Sequence, residues 1–275
     1  LYALAVAPDD TFYGYFFPDA AVYKVTKEGQ ASIWVRDWDK LGCMSESTIA
    51  INNQGEIFVL RNSEETRKAS LQKISPNGNI ETITDDLDYL SAIDFNSKDE
   101  LYGTTNESIV KIDLDTGKDK EVKRIDDFKG FSFHGLVFDK NDVAYMTADE
   151  EIYKMDLQGN LELVAKGFRG LEGIAVDETG GIFVVSRKDN GVYKITDNEI
   201  ICLVPPSPVT TPQAIAFNDQ DELFVSQDEI GEVGRYSVDG KLLESYKAVT
   251  YQPPLADIAI DEDGNILFTE CAPGF

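Results

Sequence analysis

Glu172-Gly173-Ile174-Ala175-Val176-Asp177 runs on through Gly181-Ile182-Phe183-Val184-Val185 to Val192-Tyr193-Lys194-Ile195 and Ile200-Ile201-Cys202-Leu203-Val204. These are four short runs rich in β-branched and aromatic residues, separated by Asp, Gly and Asn, the pattern of strands joined by tight turns. Nearly the same sentence is written again along the chain. Its opening phrase returns as Ala3-Leu4-Ala5-Val6, Thr48-Ile49-Ala50-Ile51, Ala92-Ile93-Asp94-Phe95, Gly135-Leu136-Val137-Phe138, Ala214-Ile215-Ala216-Phe217 and Asp257-Ile258-Ala259-Ile260.

The copies lie about 38 to 45 residues apart, and a four-stranded unit repeating at that period is a propeller blade. The expected fold is therefore all-β: a single β-propeller domain over residues 1–275, built of four-stranded antiparallel blades. Turns such as Asn52-Asn53-Gln54-Gly55 and Asp177-Glu178-Thr179-Gly180 supply residues that tolerate positive φ and cap tight hairpins. They lack the twelve-residue ligand spacing and closing Glu of a calcium loop. The second strand centres on Tyr13, Phe58, Tyr102, Tyr145, Phe183, Phe224 and Leu267, expected to be core. Seven first-and-second-strand pairs stand against six third-and-fourth pairs. Seven blades are favoured, because Ala3 to Val25 matches Gly173 to Ile195 without a gap. The alternative is six blades, with the C-terminal hairpin closing onto strands at residues 20–36 and the N-terminal hairpin left over.

Fifty acidic residues against 25 basic ones give a net charge of −25, which repels nucleic acid and excludes it as a partner. No apolar run approaches the ~18 residues that a membrane-spanning helix needs, so membrane insertion is not expected. The chain reads as soluble, with secretion or an extracytoplasmic location left open; its start at Leu1 reads as the result of removal of a leading segment. Three cysteines make neither a disulfide framework nor a zinc spacing. Cys202 is expected as a small core residue, whereas Cys43 and Cys271 fall in loops and could pair.

The phrases Gly-Ile-Ala-Val-Asp at 173–177, Gly-x-Ile-Phe-Val at 180–184 and Val-Tyr-Lys-Ile at 192–195 resemble the NHL repeat of β-propellers. Less closely, the whole chain is similar to the superfamily of regucalcin and gluconolactonases, strictosidine synthases and paraoxonases. That resemblance implies a site where the first strands begin and the second strands end, at one mouth of the central channel. The residues just before each opening phrase are Tyr2, Ser47, Ser91, His134, Glu172, Gln213 and Ala256. In the gluconolactonases matching positions hold the Glu, Asn and Asp that bind a divalent ion. Here Glu172 matches, His134 stands in place of Asn and Gln213 in place of Asp, so one aligned carboxylate remains where a calcium-type ion wants six to eight oxygens. A divalent cofactor is only weakly supported.

His134, the only histidine, and Glu172 occupy one slot in adjacent units and are the candidate acid/base pair. Candidate substrate-binding residues are Ser47, Ser91, Gln213, Arg61, Arg187, Glu270, Phe133 and Tyr251. With Trp38, Tyr89, Phe131 and Phe168, the aromatics are expected to wall an apolar funnel with a few convergent polar groups. No Gly-x-Ser-x-Gly elbow supports a serine nucleophile. Two functions follow: a small-molecule enzyme, by resemblance a lactone or ester hydrolase or a lyase/cyclase; or a non-catalytic propeller binding a peptide, glycan or protein on the same face.

Overall fold

The opening hairpin of five repeats is closed by a side chain. Asn52 Oδ1 accepts the backbone N–H of Gln54 at 3.1 Å and of Glu56 at 2.9 Å. Asn96, Asp139, Asp177 and Asn218 serve the second and fourth residues after themselves in the same way, at 2.7 to 3.0 Å. Gly55, Asp99, Asp142, Gly180 and Asp221 supply the positive φ these turns require. The turn oxygens are thus engaged by their own backbone, which is hairpin chemistry.

The computed structural model describes residues 2–16, 21–26, 29–36, 47–63, 65–125, 133–177, 179–196, 199–205, 211–218, 220–228, 230–247, 255–261 and 263–270. Strands are the regular elements found there, and no helix is long and apolar enough to cross a membrane. The chain divides into two compact units, residues 1–133 and 134–275.

In the first unit, β1 (Tyr2–Val6), β2 (Phe12–Phe16), β3 (Ala21–Val25) and β4 (Ala31–Val35) pair in order as one sheet. β5 (Ser47–Ile51), β6 (Ile57–Ser63), β7 (Lys68–Ile74) and β8 (Ile80–Asp88) form the next. β9 (Ala92–Phe95), β10 (Leu101–Thr104), β11 (Ser108–Asp113) and β12 (Lys118–Arg124) form the third. The first strands neighbour one another, β1 beside β5 and β5 beside β9.

The second unit repeats the pattern. Its sheets are β13 (Phe133–Phe138), β14 (Ala144–Ala148), β15 (Glu151–Met155) and β16 (Leu161–Lys166); β17 (Leu171–Val176), β18 (Ile182–Ser186), β19 (Gly191–Ile195) and β20 (Ile200–Val204); and β21 (Pro212–Phe217), β22 (Leu223–Gln227), β23 (Glu232–Tyr236) and β24 (Leu242–Lys247). β25 (Leu255–Ile260) and β26 (Ile266–Glu270) make a two-stranded sheet.

The described residues therefore hold six four-stranded blades, not the seven favoured from the repeat count, and the alternative of six is the supported one. The seventh repeat supplies a hairpin without third and fourth strands. That leftover hairpin is β25–β26, because β3 and β4 share their sheet with β1 and β2.

The second-strand aromatics form the core as expected: Tyr13, Phe58, Tyr102, Tyr145, Phe183 and Phe224 are all buried. The recurring lysine of the third strand faces them. Lys24, Lys111 and Lys194 are the cross-strand partners of Tyr13, Tyr102 and Phe183, and their ammonium groups stand 5.7, 5.8 and 4.8 Å from the ring centres. Such cation–π contacts keep the lysine charge at the surface while its stem covers the ring. Cys202 departs from expectation: it is exposed on β20, the fourth strand of its sheet, whose residues are only half-buried or exposed. Cys43 and Cys271 lie outside the described residues.

Removing a turn oxygen orphans two N–H groups at once. Asn96→Ala is expected to lower unfolding free energy by about 1–3 kcal/mol in urea denaturation, whereas exposed Asn141→Ala changes it by less than about 0.5 kcal/mol. Equal effects at the two positions would contradict the assigned role.

Candidate functional site

His134 is the second residue of β13 and Glu172 the second residue of β17, the first strands of successive sheets. What brings these strands together is a glycine and a threonine. A Cβ at Gly135 would stand 2.8 Å from Ile174 Cγ2 and 3.2 Å from the Glu172 carbonyl oxygen, so a side chain there would force the strands apart. Thr147, wholly buried on β14, accepts the Gly135 N–H at 2.9 Å and donates its hydroxyl to the Glu172 carbonyl at 3.1 Å. This one hydroxyl ties the backbone beside His134 to the backbone of Glu172.

The two side chains line a cleft of about 630 Å³ together with Asp149 and Arg187. Its remaining wall comes from the loops around Arg169–Gly170 and Lys188–Asn190, with Thr211. Those loops are fastened to each other. The Arg187 N–H donates to the Gly170 carbonyl at 2.9 Å, the Lys188 N–H donates to the Arg169 carbonyl at 3.2 Å, and the Arg169 N–H donates to the Asp189 carboxylate at 2.8 Å. Buried Ser186 Oγ sits 2.8 Å from the Arg169 carbonyl oxygen and 2.9 Å from the same carboxylate. Arg187 is in turn anchored by Asp228 at 2.9 Å.

Glu172 is half-buried and His134 exposed. Burial pushes the Glu172 carboxyl above its ordinary range; the charges of His134 and Arg187 pull it back, Asp149 adds to the rise, and Lys188 opposes it. His134 and Glu172 share no hydrogen bond, so their link is electrostatic.

A divalent ion of the kind the gluconolactonase resemblance implies does not suit this donor set. The cleft offers two carboxylates, and Glu172 feels His134, Arg187 and Lys188 as cations, where a hard ion wants a shell of six to eight oxygens. No group of three or more His, Cys, Asp or Glu side chains converges among the described residues.

Of the residues singled out in the sequence, His134, Glu172 and Arg187 come together, with Arg169 beside them. Gln213 is half-buried on β21 and does not line the cleft. Ser47, Ser91 and Arg61 belong to the first unit: Ser47 pairs with Arg61 across β5 and β6, Ser91 donates its N–H to the Thr104 carbonyl at 2.7 Å, and Arg61 is 3% exposed. Burial in the same unit pulls the Arg61 guanidinium below its usual range against the opposing effect of Tyr15.

An apolar funnel is not what the cleft presents. Phe133 is 0% exposed and Phe168 is buried, so both pack inward and the cleft wall is polar. Tyr89 is half-buried. Tyr251, Trp38 and Phe131 lie outside the described residues, as do the side chains of Ser47 and Glu270.

Reading the sequence missed Asp149, Lys188, Asn190, Thr211 and Thr147. Two of these carried a signal. Asp149 follows the second-strand aromatic Tyr145 by the interval that separates Arg187 from Phe183, and Thr104, Thr147 and Ser226 put a buried hydroxyl in one recurring slot. Ser226 repeats the contact of Thr147, accepting the Ala214 N–H at 2.9 Å.

No protein-family model matches the sequence, and no curated protein matches it. Solved structures do. A streptogramin B lyase superposes with a TM-score of 0.82 at 17% identity, over 98% of this chain and 90% of that one. A catalytically inactive His-to-Ala variant of virginiamycin B lyase from Staphylococcus aureus, solved with quinupristin, gives 0.78 at 18% identity, over 98% and 91%. A structural-genomics protein described as of gluconolactonase type gives 0.59 at 11% identity, over 78% and 81%. At these identities the likeness shows the fold, an all-β propeller of four-stranded antiparallel blades.

Proposed function

We propose that this chain is a small-molecule enzyme of lyase or lactonase kind, with the cleft at His134 and Glu172 as its active site. The observation that carries the reading is the pairing itself: two acid/base side chains from one slot of successive repeats face one cleft, and the carboxyl is partly desolvated beside the imidazole. Likeness in fold to streptogramin B lyases and to a protein of gluconolactonase type supports the same class.

The division of labour follows from the environments. Glu172, with its carboxyl raised by burial, is a stronger base than a solvated glutamate, and the imidazole of His134 is the proton donor set beside it. In an elimination, the Glu172 carboxylate takes a proton from carbon. The C–H electrons form the double bond, the C–O bond breaks toward oxygen, and the His134 imidazolium protonates that oxygen. In lactone opening, the same carboxylate takes the proton of the water that attacks the carbonyl carbon, the ring C–O bond breaks toward oxygen, and the His134 imidazolium protonates that oxygen.

The polar wall favours a second reading, since a cleft without apolar anchors also suits a non-catalytic module that holds a peptide, glycan or protein. Turnover separates the two. In a screen of cyclic esters and lactones, His134→Ala and Glu172→Gln are each expected to lower kcat/KM by about 10²-fold or more and to combine non-additively. Wild-type rates in either variant would remove the enzyme reading and leave the binding module.

Stability gives an independent check. A carboxyl whose folded pKa is raised contributes stability that is fully present below the unfolded value of about 4.3 and is lost as pH rises through the folded value. The ionised Glu172 is therefore a burden at neutral pH. Glu172→Gln should melt at a higher temperature than the wild type at neutral pH, with the difference shrinking in acid. A lower melting temperature for the variant at neutral pH would contradict this.

A further inference from the structure

Three cations line the cleft in a molecule with twice as many acidic as basic residues. One of them is firmly held and one loosely. Arg187 is held by Asp228 at 2.9 Å, and Arg169 stands 4.0 Å from Asp189. Lys188 has no ion pair among the described residues, although it lies in the same fastened turn.

Its placement is built in. The Lys188 stem lies across Gly170: a Cβ at that glycine would meet Lys188 Cγ at 3.0 Å and Cδ at 3.1 Å. Gly170 also sits at φ +64°, where a side chain is strained. The stem thus rests on a surface that only glycine provides, and the backbone beneath is fixed by the Lys188 N–H to Arg169 carbonyl bond of 3.2 Å. A lysine whose stem lies across the neighbouring loop, in the lining of a cleft, loses little side-chain freedom when an anion binds it.

We infer that Lys188 is the anion-recognition residue of the cleft, and that the ligand is a small molecule carrying a single carboxylate. The inference deepens the proposed function by naming its substrate class, and it rests on the same cleft. One negative charge is favoured over two, because Asp149, Glu172 and the overall charge of −25 repel each added charge, which sets a carboxylate before a phosphate dianion. The guanidinium of Arg169, 69% exposed and only loosely held, supplies a second donor.

His134 is the only histidine, so its imidazole Cε1–H resonance in NMR reports the cleft whether or not any substrate turns over. The test titrates matched probes, gluconate against gluconamide and benzoate against benzamide, with inorganic phosphate alongside. Each carboxylate is expected to shift the signal with an apparent affinity at least about tenfold above its amide. That preference should vanish in Lys188→Met, persist in Lys188→Arg, and exceed the affinity for phosphate. Lys188 is exposed, so both variants are expected to melt like the wild type.

Equal binding of acid and amide, no shift with either carboxylate, an undiminished preference in Lys188→Met, or tighter binding of phosphate would each overturn the inference. Failure of the enzyme reading looks different: no turnover by any variant, with the lysine-dependent carboxylate preference intact. Turnover of neutral lactones without any carboxylate preference is the reverse case.

Discussion

A single side-chain oxygen at the end of the first strand governs the architecture of five of these repeats. When Asn52, Asn96, Asp139, Asp177 or Asn218 takes two backbone N–H groups into its own turn, the reversal is fixed to one residue, and with it the register of the hairpin. A slip of one residue would turn every side chain to the opposite face. The burial of Phe58, Phe183 and Phe224, and the stacking of a third-strand lysine over a second-strand ring, follow from that register. So does the direction in which the residue before each opening phrase points.

Function enters where the repeat departs from itself. The slot that holds Ser47 and Ser91 in the first unit holds His134 and Glu172 in the second. The third-strand basic residue meets a turn glutamate in Lys73–Glu56, Lys111–Glu100 and Arg235–Glu222, yet Val143 and Gly181 stand in that turn position in the two repeats that build the cleft. In these repeats the third-strand lysines pair with other carboxylates, Lys154 with Glu162 and Lys194 with Asp177, and the opposite ends of the strands carry Asp149, Arg187 and Lys188. The scaffold keeps its hairpins while a few positions are released for other chemistry.

The fold was legible because periodicity is a property of many residues at once. Seven copies of one phrase outweigh any single ambiguous strand, and the aromatic of the second strand was identifiable as core from its recurrence. The count of blades was not legible, since it depends on which strands share a sheet at the chain ends, a long-range fact that local alternation does not contain. His134 and Glu172 were found by slot, because the slot is itself periodic. Lys188 and Asn190 escaped because they sit in a turn between second and third strands, where the repeat varies, and their approach to Glu172 depends on how two loops lock. Phe133 was misjudged for a related reason: it precedes His134 by one residue, and strand alternation sends it inward as His134 turns outward.

The central claim is that Glu172 is a partly desolvated carboxylate coupled to the charge of His134. Carbon-13 NMR of the Glu172 side-chain carboxyl across the acid-to-neutral range measures that directly. The account predicts a titration midpoint above the ordinary glutamate range, and a further rise of that midpoint in His134→Ala, which removes the charge that pulls it down. A single transition at or below the ordinary range, unchanged by His134→Ala, would contradict it.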